Sequence, residues 1–218
     1  MNYSVSEENY LKAIYHLQED GGTVSTNAVA ERLQTKAASV TDMMKKLSTK
    51  GLLNYTPYYG FSLSNEGRRT AIFIIRRHRL WEFFLSQKLG FSWEEVHQLA
   101  EELEHVSSKK LIDRLDEYLG FPSYDPHGDP IPDSKGKMAA RNNLPLVELP
   151  KNKQAEVCQV TNQSAEMLEL LKHKNIGIGT RIEVKKHFPF DQSLELKIKT
   201  KTVTISEQLA KNIFVTYE

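Results

Sequence analysis

The sequence has almost no cysteine and no long hydrophobic run. Among its 218 residues Cys158 is the single cysteine, so no disulfide can form within the chain, which favours a reducing compartment. No apolar stretch reaches membrane-spanning length, and residues 1–8 lack the basic and apolar regions of a signal peptide. We therefore expect a cytoplasmic protein that has no membrane partner.

The chain also lacks a strong net charge and the usual signatures of an enzyme. Its 29 basic and 28 acidic residues leave a charge of +1 at pH 7, which neither supports nor excludes nucleic-acid binding, because that requires only a local basic face. We find no phosphate-binding glycine loop, no nucleophile constellation and no pattern of a substrate pocket. These absences argue against catalysis and against a small-molecule substrate.

Apolar residues recur at helical spacing near the start of the chain. They predict a helix over residues 4–20, with N-cap chemistry at Ser6 and an end at Gly21-Gly22. A short helix is expected to follow Ser25-Thr26. These two helices begin the succession that is typical of a winged helix-turn-helix domain.

The second part of this pattern is a longer helix followed by a β-hairpin. The helix is expected from Ala37 to about Lys50, and strand-like runs follow at residues 52–55 and 61–64, joined through Pro57-Tyr58-Tyr59-Gly60. The succession predicts a winged helix-turn-helix domain over residues 1–64.

The helix that begins at Ala37 is the candidate recognition helix. Small residues at its start permit close approach to the major groove, hydroxyl groups can donate to phosphates or bases, and lysines can neutralise phosphates. The wing has tyrosines at its tip, which contact the DNA backbone or pack on the domain. Val40, Met44 and Leu47 are expected to pack inward. The alternative is a structural helix with lysines in solvent. The candidate DNA-contacting residues are Lys36, Ala37, Ala38, Ser39, Thr41, Asp42, Lys45, Lys46, Tyr58 and Tyr59.

Three helices are expected in residues 65–121. The first, ending near Lys88, has more than one apolar stripe, so we expect it to pack against both the DNA-binding domain and a second copy in a homodimer. A capping box at Ser92 begins the next helix, which we expect to end at Val106. Residues 107–119 form the third.

The last part of the chain changes composition twice. Residues 122–150 are rich in proline, glycine and aspartate and are typical of an extended linker. Residues 151–218 contain five β-patterned runs and one helix, which favour an SH3-like barrel. The predicted fold class is therefore mainly α with a β-hairpin wing (a winged helix-turn-helix and a helical dimerisation domain), followed by a C-terminal all-β SH3-like barrel.

Two stripes of histidine and glutamate stand out in the helical region. Residues three and four apart share one helix face, so each stripe can offer several donors to one cation. Carboxylate oxygens and imidazole nitrogens suit Mn²⁺ or Fe²⁺. The alternatives are a solvated acidic face and polar groups that satisfy one another at a helix seam. The stripes are His78 and Glu82, then His97, Glu101, Glu104 and His105.

Several stretches, in a shared order, closely resemble the diphtheria-toxin-repressor family of metal-dependent transcriptional regulators. These stretches are Glu8–Tyr15, Arg77–Glu82, Val96–Val106 and Pro126–Pro132. The last is similar to a linker motif of three-domain, iron-type members. Residues 144–218 are similar to the C-terminal SH3-like domain of the family, which also occurs in ferrous-iron transport accessory proteins.

The resemblance implies two metal sites. In the primary site it assigns ligands to Glu101, Glu104 and His105, with the amide oxygen of Asn9. In the ancillary site it assigns His78, Glu82 and His97, and we expect Glu166 of the C-terminal domain to complete them. The remaining histidines, His16, His127, His173 and His187, are expected on the surface, and Cys158 in a strand.

The resemblance leaves Mn²⁺ and Fe²⁺ both open. Iron-type members have cysteine where this chain has Glu101, and a carboxylate there favours Mn²⁺. The first helix departs from both types: Asn9 replaces methionine or aspartate, and Lys12 replaces a second manganese-type carboxylate. An ammonium group repels a second cation, so we do not expect a compact two-ion site.

The function implied is that of a homodimeric repressor of metal-uptake genes. Its affinity for double-stranded operator DNA is expected to rise when Mn²⁺ or Fe²⁺ binds. Two alternatives remain at this point. Two histidines and a carboxylate can leave open positions on Fe²⁺, as in non-haem metalloenzymes. A winged-helix protein whose metal groups are purely structural is the other.

Overall fold

The computed structural model describes residues 3–18, 22–56 and 58–217. The chain forms two compact units, each assembled from segments that are separate in sequence. The first unit comprises Met1–His78, Glu101–Tyr118 and Pro132–Lys137. The second unit comprises Arg79–Ala100, Leu119–Ile131 and Met138–Glu218.

The first unit begins with three helices and a hairpin. The elements are α1 (Val5–Leu17), α2 (Thr26–Arg32), α3 (Ala37–Thr49), β1 (Leu53–Thr56) and β2 (Gly60–Leu63). This order confirms the winged helix-turn-helix that the sequence predicted.

The start of α1 differs from the prediction. Ser4, not Ser6, is the N-cap: its hydroxyl accepts a hydrogen bond from Glu7 N, and the Glu7 carboxylate accepts one from Ser4 N. Together the two bonds satisfy two otherwise free backbone donors, which a cap at Ser6 would leave open. Ser25 caps α2 as expected. The predicted end of the first helix involves Gly21, which lies outside the described residues.

The core of the first unit follows the apolar face of α3. Val40, Met44 and Leu47 are fully buried at helical spacing, which confirms their predicted inward orientation. The hairpin is held close to this core at Gly60. Its φ is +116°, and a Cβ atom there would lie 2.4 Å from the carbonyl oxygen of Val24, so only glycine fits.

Three more helices follow the wing. They are α4 (Asn65–Leu89), α5 (Trp93–Leu103) and α6 (Lys109–Tyr118). The predicted capping box at Ser92 is confirmed in one half: the Glu95 carboxylate accepts from the backbone nitrogen and the hydroxyl of Ser92, whereas Glu95 N donates to the Ser92 carbonyl oxygen and not to its hydroxyl. However, α5 ends before Val106, and Glu104 and His105 therefore lie in the turn that follows it.

The second unit contains a six-stranded antiparallel sheet in the order β3-β8-β4-β5-β6-β7. The strands are β3 (Leu144–Pro145), β4 (Gln154–Val160), β5 (Arg181–His187), β6 (Leu194–Ile198), β7 (Lys201–Ile205) and β8 (Ile213–Thr216). Residues 144–148, assigned to the linker from sequence, form β3 and a 3-10 turn. Their pairing partner, β8, is distant in sequence, which is why composition did not reveal them.

Two helices accompany this sheet, α7 (Ala165–His173) and α8 (Glu207–Lys211). The second was not predicted, because five residues are too few to display a period. Cys158 is buried in β4, as expected. No helix in the described part of the chain is long and apolar enough to cross a membrane.

Candidate metal centre

The first cluster lies within the first unit and surrounds the ammonium group of Lys12. Lys12 projects from α1, and its Nζ atom lies 2.7 Å from Glu101 Oε1. The same nitrogen lies 2.7 and 2.8 Å from the two carboxylate oxygens of Glu104, whose side chain is fully buried. Three carboxylate oxygens therefore converge on one position beside α1.

His105 belongs to the first cluster, and Glu8 fixes the orientation of its ring. His105 Nδ1 lies 2.7 Å from Glu8 Oε2, and Arg77 forms an ion pair with the other oxygen of Glu8 at 2.7 Å. A carboxylate paired with arginine accepts hydrogen bonds, so Nδ1 carries a hydrogen, and in the neutral ring the lone pair is on Nε2. Nε2, which lies 3.8 Å from Glu104 Oε1, is therefore the nitrogen available to a cation.

Glu104 and Asn9 indicate that the first cluster fits a divalent cation. His78 Nδ1 lies 2.7 Å from Glu104 Oε2. Although burial opposes ionisation, the hydrogen bond from His78 and the charge of Lys12 lower the pKa of Glu104, so it is a carboxylate at neutral pH. Asn9 precedes Lys12 by one helical turn, and its buried Oδ1 atom has no hydrogen-bond partner. An oxygen left without a partner needs a donor or a cation.

The second cluster lies within the second unit and consists of Glu82, His97, Asp125 and His127. One ligand atom each from Glu82, Asp125 and His127 lies within 4.8 Å of the others, and all three residues are buried. His97, which is partly exposed, approaches Glu82 Oε1 to 3.1 Å with its Nδ1 atom. Two carboxylates and an imidazole at these separations are a donor set for a transition-metal ion.

The tautomer of His127 is fixed by a backbone carbonyl. Its Nε2 atom lies 2.8 Å from the carbonyl oxygen of Trp93, and the two rings stack with their centroids 6.0 Å apart. Because a carbonyl only accepts, Nε2 carries the hydrogen and Nδ1 of the neutral ring has the lone pair. Nδ1 is buried, has no hydrogen-bond partner and lies 3.7 Å from Glu82 Oε2. A histidine held in this way is prepared to bind a metal through Nδ1.

Negative charge accumulates in the second cluster. The carboxylates of Glu82 and Asp129 both act on that of Asp125, and the guanidinium of Arg79 lies 3.6 Å from each of the two aspartates. Burial and the charges of Glu82 and Asp129 raise the pKa of Asp125 well above its ordinary value. Although burial opposes it, the Glu82 and Asp125 carboxylates also raise the pKa of His127. Both shifts favour a bound proton, on the Asp125 carboxyl group or on the His127 ring, and a divalent cation would supply positive charge in place of that proton.

A glycine allows the loop that carries Asp125 and His127 to reach this position. Gly128 has a φ of +86°, and a Cβ atom there would lie 1.9 Å from the carbonyl oxygen of Cys158 in β4. Asp125 Oδ1 accepts hydrogen bonds from the backbone nitrogens of His127 and Asp129, which closes the loop. The close approach of the loop to β4 thus depends on the missing side chain.

The candidate recognition helix presents the predicted residues outward. Lys36, Ala37, Ala38, Ser39, Asp42 and Lys45 are exposed, as are Tyr58 and Tyr59 at the wing. Thr41 is half-buried, and its hydroxyl donates to Ala37 O. Lys46 lies 3.1 Å from the buried Glu7 carboxylate, so it also contributes to the packing of α1. The helix therefore has a free polar face and a buried apolar face.

Comparison with known proteins identifies the class of this chain. The model of the iron dependent repressor N-terminal DNA binding domain matches residues 3–61, and the metal binding and dimerisation domain of the same repressors matches residues 64–133. The FeoA domain matches residues 144–217. The iron-dependent repressor IdeR of Mycobacterium leprae is 34% identical over 181 residues, which cover 78% of this chain and 79% of the relative. The chain belongs to the diphtheria-toxin-repressor family.

Further relatives of the family agree in sequence and in structure. The diphtheria toxin repressor of Corynebacterium glutamicum is 29% identical over 187 residues, or 81% of this chain and 82% of the relative. A manganese-dependent transcriptional repressor in complex with manganese has a TM-score of 0.87 at 33% identity, covering 97% of this chain and 100% of that one. ScaR with bound Zn²⁺ has a TM-score of 0.81 at 30% identity, covering 97% and 99%. The family consists of metal-dependent transcriptional repressors and not of enzymes, and both iron- and manganese-dependent proteins are among the relatives.

Two expectations from the sequence analysis do not match the structure. His127, expected on the surface, is fully buried in the second cluster, because its loop is folded against β4. Glu166, expected to complete the ancillary site, is exposed in the first turn of α7 and is not part of the second cluster. The other three histidines, His16, His173 and His187, are exposed as expected.

Little in the sequence indicated the parts that Asp125, His127 and Glu8 play in the two clusters. Asp125 and His127 stand within a run of prolines, which suggested only an extended linker. The one available signal was the sequence next to Gly128, where a histidine and aspartates stand close together. Such a density of side chains that can bind a metal is unusual in a loop. Glu8 was recognised as part of a family stretch, but its role in orienting His105 requires the fold.

Proposed function

We propose that this family member is a homodimeric, cytoplasmic repressor whose affinity for double-stranded operator DNA rises when Mn²⁺ or Fe²⁺ binds, and that it controls metal-uptake genes. The observation that carries the metal dependence is the second cluster. There Glu82, Asp125 and His127 are buried together, with a fixed imidazole tautomer and an excess of negative charge. Water cannot relieve that charge at buried positions, whereas a cation can.

The proposed ligands form one group in each unit. In the first unit they are Asn9, Glu101, Glu104 and His105, with His78 bonded to Glu104. In the second unit they are Glu82, Asp125 and His127, with His97 beside Glu82. Asp125 and His127 here take the role that the sequence assigned to Glu166. The bound ion supplies a double positive charge, and the chain supplies the oriented donors that hold it.

Metal binding in the first unit would restrain the DNA-binding helices. Asn9 and Lys12 are on α1, which packs with α2 and α3, whereas Glu104 and His105 follow α5. A metal ion bound by Asn9 and by the residues that follow α5 would hold α1 in place, and through α1 the recognition helix α3. By linkage, a metal that favours the DNA-competent arrangement must bind more tightly in the presence of DNA.

The proposed DNA contacts are those of a winged helix-turn-helix dimer. We assign DNA binding to residues 1–64, dimerisation and metal binding to 65–121, a linker to 122–150 and the SH3-like domain to 151–218. The start of α3 enters the major groove, and the wing tyrosines contact the backbone. For a two-fold dimer the operator half-sites should be about 10 bp apart, one turn of the duplex.

The decisive experiment is an anaerobic operator titration of the purified protein at constant salt with Mn²⁺, Fe²⁺ or Zn²⁺. We expect Mn²⁺ or Fe²⁺ to raise the affinity for DNA, and the stronger of the two identifies the effector. His105→Ala and His127→Ala should each reduce this response. His173→Ala, which removes an exposed histidine of α7, is the matched control and should leave it unchanged.

Three results would contradict the proposal. Operator binding that is equally tight without metal would make both clusters structural. An unchanged metal response in His105→Ala and His127→Ala would remove these residues from the mechanism. Sedimentation of the free protein as a monomer at the concentrations used would exclude the proposed dimer.

A further inference from the structure

Lys12 already satisfies the carboxylates that a metal in the first cluster would use. An ammonium group has three hydrogens to donate. Three carboxylate oxygens, one from Glu101 and two from Glu104, lie 2.7 to 2.8 Å from Lys12 Nζ. The side chain of Lys12 is only 14% exposed, so water does not weaken these bonds as it would at the surface. In the metal-free protein, the positive charge of this lysine therefore balances the cluster.

A divalent metal and this ammonium cannot share the same oxygens. Metal–oxygen bonds of small divalent cations are about 2.1 Å long, so an ion bound to Glu101 and Glu104 would lie close to Nζ. Two cations at such a distance repel each other strongly where water is scarce. One of them must leave these oxygens. When the metal binds, it is the ammonium group that has to move away, although its side chain stays attached to α1.

We propose that Lys12 competes with the divalent cation for Glu101 and Glu104: its ammonium holds both carboxylates in the metal-free protein, and a bound metal has to displace it. This inference rests on the proposed function, because it concerns the same first cluster. Lys12 thereby sets the metal concentration at which the first unit responds. It also keeps α1 attached to Glu101 and Glu104 before metal arrives.

Lys50 provides a matched control for Lys12. Its Nζ atom lies 2.5 Å from Glu7 Oε1, so it too bonds a buried glutamate of α1. Glu7 is not among the proposed metal ligands, and its carboxylate also receives Lys46. Replacing Lys50 therefore removes a comparable ion pair from the same helix and leaves the first cluster intact.

The first test is calorimetric titration of Mn²⁺ into Lys12→Gln and Lys50→Gln. All proteins compared carry His127→Ala, so that the second cluster contributes little. We expect Lys12→Gln to bind Mn²⁺ about tenfold or more tightly than its parent, because no ammonium has to be displaced. Its metal-free form should melt at a lower temperature, since two carboxylates lose their counter-charge. Lys50→Gln should keep the Mn²⁺ affinity of the parent.

The second test uses the wild-type chain, so it does not depend on a variant that folds. Acetylation of lysine amines, followed by mass spectrometry, reports how accessible each ammonium group is. We expect Mn²⁺ to increase the modification of Lys12 several-fold and to leave that of Lys50 unchanged, because only the former is displaced.

The outcomes separate this inference from the proposed function. An Mn²⁺ affinity of Lys12→Gln within twofold of its parent, or a Lys12 reactivity that Mn²⁺ does not change, overturns the competition. If DNA binding by the wild-type protein still responds to Mn²⁺, the proposed function survives that result. Conversely, tighter Mn²⁺ binding by Lys12→Gln together with a metal-independent operator affinity overturns the proposed function and leaves the competition standing.

Discussion

At the scale of single residues, the two clusters differ in how their charge is balanced. The first contains Lys12 and Arg77, which bond the carboxylates of Glu104 and Glu8 directly. In the second, the guanidinium of Arg79 stays 3.6 Å from Asp125, beyond hydrogen-bond distance. The same residue types therefore produce two different clusters. In the first unit the carboxylates have cationic groups in direct contact, and in the second unit the nearest cationic group is too distant for a hydrogen bond. If the proposal is correct, the second cluster is the one in which a bound cation would gain the most from neutralising charge.

Asp125→Asn should separate the stability of the metal-free protein from its response to metal. The variant keeps the Oδ1 atom that accepts from His127 N and Asp129 N, but it removes a buried negative charge. We expect the metal-free protein to gain about 1 kcal/mol of stability at neutral pH, which can be measured by thermal unfolding. The added stabilisation by Mn²⁺ should fall, because a carboxylate ligand is lost.

The pH dependence of this gain follows from the raised pKa of Asp125. The gain is full above the folded-state pKa, where the native aspartate is ionised at a cost, and it vanishes below the unfolded-state pKa, where the aspartate is protonated in both states. If the metal-free variant is less stable than wild type at neutral pH, the ionised Asp125 carboxylate does not destabilise the fold, and the prediction is wrong.

At the scale of elements, an ion pair connects α5 to α7 in the second unit. Lys172 Nζ lies 2.9 Å from Glu94 Oε1. Although burial opposes it, the hydrogen bond from Lys172 lowers the pKa of Glu94 from its ordinary value. Because Lys172 is largely exposed, solvent screens the pair, and we expect it to contribute only a small amount to the stability of the fold.

Glu94→Gln should reveal this pair as a pH-dependent loss of stability. A carboxyl group with a lowered folded-state pKa stabilises the fold above its unfolded-state pKa, and this contribution disappears as the pH falls through the folded-state value. The variant should therefore unfold more readily than wild type at pH 7 and equally readily in acid. Glu148→Gln, at an exposed glutamate of the 3-10 turn, is the control and should show no such difference. An equal difference at all pH values would point to packing instead of charge.

At the scale of the whole molecule, the C-terminal sheet has a core of its own. The buried apolar residues of this core all lie between Leu146 and Val215, and Trp93 of α5 packs against it from outside that range. A segment with a continuous core can fold alone, although small domains are only marginally stable.

A fragment of residues 140–217 should therefore unfold cooperatively on heating, as followed by circular dichroism. We expect a lower melting temperature than in the full chain, because the fragment lacks Trp93. Mn²⁺ should not raise that temperature, since Glu82, Asp125 and His127 are absent. A fragment without a cooperative transition would show that this sheet depends on the rest of the second unit.

The sequence alone determined the order and kind of most elements. Helical spacing located Val40, Met44 and Leu47 on the buried face of α3, and a capping box located the start of α5 at Ser92. These features are local, because periodicity and caps depend on residues within one or two turns. Local patterns also brought out the stripe that contains Glu101 and Glu104, whose metal ligation stays a prediction.

Only the tertiary structure decided which side chains share a site. Glu8 meets His105, Lys12 meets Glu104, and Glu82 meets His127 across long stretches of chain. No local pattern encodes such pairings, because the chain must first bury its apolar faces before distant polar groups are brought together. The prolines around His127 predicted an exposed linker, whereas packing of that loop on β4 through Gly128 made it part of a buried donor group.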